Sequence, residues 1–270
     1  MKKSLNLLTL SLLITNASAV TDYSISFENF VSNTKFDSQN SLNGGQWYDG
    51  ITGLVYTDAL SGSGFDVSAV LAATSTYYPR NASVNGNNGG DDAKINMRRD
   101  RGVDFTFSMY DNETGNIVDQ DFFGDDFTYS LIFYDLDGTT IGGLEEVTSY
   151  DHSSWEKTDN SIINIVETSE KTIASTNGTI NNIPNTTAAT TTLTAEQQSS
   201  AILFNYENKG SVNLNFNIEG GDPQNQRNLA IDSNTFKIFT EATVSSAVPE
   251  PKLAMLLGMG VICMIFRKTR

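Results

Sequence analysis

The sequence predicts an all-β fold of two packed sheets, and three observations point to it. Of 270 residues only 18% are charged and 39% are hydrophobic, with 21 glycines, a mix that disfavours a coiled coil or charged helical bundle. Through residues 20–240, apolar side chains alternate with Ser, Thr, Asn or Asp in short runs rich in β-branched and aromatic residues, the period of half-buried strands. About twelve such runs occur with no repeat of fixed period, which favours a sandwich over a propeller or solenoid. The length suffices for one large domain with a sizeable core, at roughly 100–200 residues per domain. A jelly-roll order of strands is placed ahead of an immunoglobulin-like one.

The elements follow in chain order. Tyr23, Ile25 and Phe27 alternate with Ser24 and Ser26 and read as a first strand, followed by shorter ones at 54–56, 65–71 and 95–98. Val103, Phe105 and Phe107 alternate with Asp104 and Thr106. Residues 127–135 begin by alternating and become apolar on both parities at Ile132 and Tyr134, which marks a central strand buried on both faces. Short strands are expected at 147–150, 162–167, 171–174, 201–206 and 236–240. Val212, Leu214, Phe216 and Ile218 alternate with asparagines in the cleanest run of all. Thr194-Ala-Glu-Gln197 carries an N-cap and its capping-box partner, so a helix of one or two turns should start there. The Asn- and Gly-rich stretch 85–92 reads as a mobile loop that buries nothing, and 181–194 as a surface loop. Residues 241–247 read as a linker.

The two ends carry addresses. Lys2 and Lys3, an apolar run over 5–14 and Ala17-Ser18-Ala19 occur in the order of a secretory signal peptide, so residues 1–19 are expected to be removed by signal peptidase, with Ala17 and Ala19 defining the cut. At the other end Pro249-Glu250-Pro251 precedes an apolar run over 253–266 and the basic tail Arg267-Lys268-Thr269-Arg270. Residues 248–270 thereby resemble the PEP-CTERM sorting signal of Gram-negative bacteria. The resemblance implies transient anchoring in the inner membrane, cleavage by an exosortase that recognises Pro249, Glu250 and Pro251, with Arg267, Lys268 and Arg270 as the basic tail, and delivery to the cell surface or extracellular matrix. As a helix the apolar run spans about 21 Å, short against a hydrocarbon core of about 30 Å. Snorkelling of Lys252 and Arg267 and local thinning bridge the difference. The basic tail stays on the cytoplasmic side. Cys263 lies in this run and reads as a small buried hydrophobe.

The formal net charge is −15, but the two ends hold six of the 17 basic residues and one of the 32 acidic ones, leaving the middle near −20. Nucleic acid and anionic lipid surfaces are thereby disfavoured as partners, and membrane contact is expected only through the C-terminal helix. A single cysteine excludes an internal disulfide and any cysteine zinc cluster, and a single histidine, His152, leaves little room for His-dependent chemistry.

The densest polar cluster is Asp135-Leu136-Asp137-Gly138 followed by Glu145-Glu146. Ca²⁺ takes six to eight oxygen ligands, and Asp135, Asp137 and Glu145 could supply part of such a site. The competing reading is a turn in which Gly138 takes positive φ and the acids are solvated. Asp91, Asp92, Asp121, Asp125 and Asp126 read as exposed loop acids. Residues 127–137, Glu145-Glu146-Val147, and 193–198 leading into Ile202-Leu203-Phe204 resemble a lectin-like ectodomain of bacterial surfaces. That resemblance implies a jelly roll, no catalytic residues and no particular ligand. Arg98, Arg99 and Arg101 could grip an acidic sugar or pair with neighbouring acids. Trp47-Tyr48, Tyr77-Tyr78 and Trp155 could stack on sugars or plug the core.

Enzymatic signatures are wanting: there is no Gly-x-Ser-x-Gly elbow, phosphate loop, HExxH or dinucleotide fingerprint, and His152 in its polar stretch reads as solvent-facing. The expectation is a non-enzymatic exported protein acting in adhesion or exopolysaccharide association. A secreted polysaccharide-active hydrolase or lyase using paired carboxylates is the alternative, and a purely structural matrix protein a third.

Overall fold

Period-two alternation builds two seven-stranded sheets that face each other across one core. The computed structural model describes residues 20–30, 53–79, 81, 84–86, 92–138, 143–176, 193–220, 226–233 and 242–246. Both end segments, Trp47-Tyr48 and the strand expected at 236–240 lie outside these residues, as does the loop expected at 181–194 up to residue 192.

The first sheet runs β14 (Ala242–Ser246), β8 (Ser154–Thr158), β11 (Ile202–Glu207), β6 (Phe127–Tyr134), β13 (Gln226–Asp232) and β4 (Ala93–Arg98). β11 pairs with residues 128–133 of β6, so β13, at 132–134, shares the other edge with the short parallel strand β1 (Thr21–Tyr23), at 127–129. The second sheet is antiparallel throughout, in the order β2 (Gly53–Tyr56), β3 (Val67–Ala73), β5 (Arg101–Asp111), β12 (Ser211–Glu219), β7 (Leu144–Ser149), β10 (Thr172–Ser175), β9 (Asn164–Glu167). The pairings nest. From β4 to β7 the chain alternates between the sheets, and from β10 to β13 it retraces them, so that β4 pairs β13, β5 pairs β12, β6 pairs β11 and β7 pairs β10.

Inward residues follow the alternation: Val103, Phe105, Phe107 and Met109 on β5 and Val212, Leu214, Phe216 and Ile218 on β12 face Phe127, Tyr129, Leu131 and Phe133 on β6. β6 is buried on both faces, as its sequence predicts. Its outward Ile132 and Tyr134 form a second cluster with Leu203, Ala230 and Leu193, the last leading into helix α2 (Ala195–Ser199). The capping box is formed: Thr194 Oγ1 accepts from Gln197 N at 3.2 Å while Gln197 Oε1 accepts from Thr194 N at 2.9 Å. A second short helix, α1 (Gln120–Phe123), starts at Asp119, whose carboxylate accepts from Phe122 N at 3.0 Å. Its Phe123 joins an aromatic cluster with Tyr23, Phe65 and Phe127.

Several expectations need correction. The first strand ends at Tyr23, although Ile25 and Phe27 are buried as the alternation implies. Beyond Tyr23 the backbone is tied individually, Ile25 N to Ser233 Oγ at 3.0 Å and Ser26 N to Ala59 O at 2.8 Å. Residues 242–246, read as part of a linker, form β14 and pair with β8. Asn85, read as part of a loop that buries nothing, is buried, and its Oδ1 accepts from Asn96 N at 2.7 Å. Asp92 is buried too. Between β11 and β12, Gly210 is fixed by close approach: a Cβ there would lie 1.7 Å from Val118 O, while Gly210 O accepts from Met109 N at 2.8 Å.

Candidate functional site

Alternation also places charge in the core. On β13, Leu229 and Ile231 point inward, and the same parity carries Arg227 inward; on β7, Val147 and Ser149 are buried and the same parity buries Glu145. Arg227 belongs to the first sheet and Glu145 to the second, so their ion pair fastens the two sheets together. Arg227 Nε bonds Glu145 Oε1, and Arg227 Nη2 bonds both Glu145 Oε2, at 3.1 Å, and Asp137 Oδ1. Glu145 Oε2 also accepts from the backbone N–H groups of Asp137, at 3.1 Å, and Gly138, at 2.9 Å. The fold therefore brings together all three residues expected to bind calcium, with Arg227 among them, its guanidinium where a cation would sit. Among the described residues no group of three or more His, Cys, Asp and Glu side chains has a metal-holding arrangement.

Gly138 does take a positive φ, 78°, as the turn reading requires. The acids of that turn are not solvated, however: Asp137 is 8% exposed and Glu145 1%. Burial pushes both carboxyls above their ordinary values, against the lowering effect of Arg227. Asp135 is half-buried, with a φ of 69°, and its Oδ1 is closed off from solvent without a hydrogen-bond partner among the described residues. Burial first, opposed by Arg227 and reinforced by Asp137 and Glu145, raises it to about 7. Burial works against the charge of Arg227, but Glu145, Asp137 and Asp135 outweigh it and hold the guanidinium ionised. Three carboxyls thus share one cation, and Asp135, raised to about 7, keeps a proton towards neutral pH.

The other candidates disperse. Arg98 donates to Pro79 O at 3.2 Å, Arg99 is buried, and Arg101 stands 5.2 Å from the Tyr78 ring centroid and pairs with Asp100. They form no common anion grip. Trp155 lies in the core, with Nε1 donating to Glu167 Oε2 at 3.3 Å, and Tyr77 packs against the core with its hydroxyl on Asn96 O. His152, expected to face solvent, is half-buried: Nε2 bonds Thr172 Oγ1 at 2.9 Å, the ring meets Phe204 edge-on, and burial lowers its pKa.

An open groove of about 670 Å³ lies on the outer face of the second sheet. Phe105 and Leu214 point into the core, so the same alternation turns Asp104 and Asn213 outward to line it, with Thr74, Tyr150, Asp151 and Glu170 around them. Tyr150 is 40% exposed, and Lys171 Nζ stands 5.9 Å from its ring centroid. Asp151 Oδ2 accepts from Asn213 N at 3.1 Å, and Asp104 Oδ1 from Asn215 Nδ2 at 2.8 Å, so the polar floor is held in place. Sequence reasoning passed over this groove because its residues come from five separate stretches of chain. The usable signal is the outward row of asparagines on β12.

The fold and groove define a class: a two-sheet antiparallel β-sandwich with a polar, aromatic-edged groove on one outer face. Compared with family models, curated proteins and solved structures, the chain matches none.

Proposed function

We propose that the chain is an exported surface or extracellular-matrix protein, processed by an exosortase, whose jelly-roll ectodomain associates with polysaccharide through the outer-face groove. The observation that carries this reading is the groove itself: an exposed aromatic ring beside carboxylate and amide groups supplies an apolar platform for a sugar ring and fixed partners for its hydroxyls. The nested strand pairing supports the jelly roll. Calcium has no part in this reading, because the Arg227 guanidinium already stands between Asp137 and Glu145, the acids that would bind it.

Tyr150→Ala is expected to weaken retention of the processed protein on its polysaccharide about tenfold, equivalent to roughly 1.4 kcal/mol, with the melting temperature unchanged. Affinity electrophoresis in polysaccharide gels measures this, and equal retention of variant and wild type would sink the groove assignment. For the sorting segment, Glu250→Ala is expected to leave the chain uncleaved in the inner-membrane fraction; normal release of the variant would refute exosortase processing.

A second reading has a specific observation in its favour. Asp104, Asp151 and Glu170 all line the groove, and a hydrolase or lyase could use a pair of them. Release of reducing ends, abolished by Asp151→Asn with folding intact, would replace the binding role with turnover.

A further inference from the structure

We infer that the groove selects glycans bearing free amino groups, a polysaccharide of cationic amino sugars, over neutral or uronate chains; this rests on the polysaccharide reading above and narrows it. The lining contains three carboxylates, Asp104, Asp151 and Glu170, and neither lysine nor arginine. Lys171 sits beside the groove with its ammonium over the Tyr150 ring. A uronate entering the groove meets Asp104, Asp151 and Glu170 as like charges, with Lys171 the one cation at the Tyr150 edge, whereas an ammonium in the groove meets three opposite charges. Asp151 and Asp104 are each held by one hydrogen bond from β12, and a carboxylate oxygen accepts more than one, so both can bond a ligand N–H without giving up their place in the floor. The arginines that would suit an acidic glycan are turned to Pro79, to the interior and to Asp100.

The test uses the processed protein with three oligosaccharides of equal length: glucosamine, its N-acetylated counterpart and galacturonate, by calorimetry at a pH that keeps the amine protonated. The glucosamine oligomer should bind about tenfold more tightly than the N-acetylated one at low salt. The preference should shrink severalfold as ionic strength approaches 1 M, where the screening length falls to about 3 Å. Galacturonate should not bind. Glu170→Gln, at an exposed hairpin position, should reduce the preference severalfold, and Tyr150→Ala should weaken both binding oligomers. Equal binding of the amino and N-acetylated oligomers, or tighter binding of galacturonate, would overturn the inference while leaving the polysaccharide reading intact. Equal glucosamine binding by wild type and both variants would overturn it as well, because the attraction would then come from overall acidity. Absence of binding by all three oligomers would overturn both readings.

Discussion

Arg227→Ala is expected to destabilise the fold by about 3–5 kcal/mol, the usual loss when one partner of a buried ion pair is removed. The side chain of Glu145 is 1% exposed and that of Arg227 16%, so water cannot move in to replace the guanidinium as it would at a surface pair. The alanine variant leaves Glu145 with the backbone donors of Asp137 and Gly138 but without a countercharge, and leaves Asp137 without its cation. Urea unfolding should show a lower midpoint with little change in slope. Combining Arg227→Met with Glu145→Gln and Asp137→Asn should recover much of the loss, since neutral, well-packed replacements of buried charged partners are tolerated better than a widowed charge. A loss below about 1 kcal/mol for Arg227→Ala would show that the pair is screened like a surface one.

Asp135→Asn is expected to flatten the pH dependence of stability between about pH 4 and 7. A carboxyl raised to about 7 in the folded state binds its proton more tightly than in the unfolded chain. Its contribution is therefore fully present below the unfolded value near 4 and is lost as pH rises through 7. A difference of about three units corresponds to roughly 4 kcal/mol across that window. Asp137 and Glu145, also raised by burial, act in the same direction. Asp111, held low chiefly by the Thr114 hydroxyl, acts in the opposite one, and the substitution leaves it untouched. Asparagine accepts the left-handed backbone of this position, so the change isolates the charge. Melting temperatures at pH 4.5 and 7.5 measure the effect, and an unaltered profile in the variant would exclude Asp135 as its source.

How far the sequence could be read depends on where each residue's neighbours come from. The strand over 211–219 was legible because Val212, Leu214, Phe216 and Ile218 alternate without a break, and Thr194 and Gln197 announced their helix through contacts three residues apart. β13 and β8 were not legible: Gln-Arg-Asn-Leu and Ser-Trp-Glu-Lys carry charge or amide groups at positions that become inward or central only once their partners are known. The acidic turn shows the same limit. Asp135, Asp137 and Glu145 lie close together in the chain, but Arg227 lies 90 positions from Asp137, and no local pattern links them. The groove assembles Thr74, Asp104, Tyr150, Glu170 and Asn213 from distant segments, so only the tertiary arrangement reveals it.

The nested pairing also sets an order in time. Thr106 on β5 finds its partner Asn213 on β12 only across 107 positions, and β4 waits longer still for β13. Such far-apart closures make for slow folding, because the loop entropy is lost before the contacts form. While the C-terminal third is still being synthesised, β4 and β6 lack a partner strand along most of their length, β5 has β3 on one edge only, and neither sheet can be completed. For a chain proposed to be exported this delay is useful. If the chain is exported as proposed, such a delay would keep the polypeptide threadable during translocation and place completion of the sandwich after the last strands have crossed.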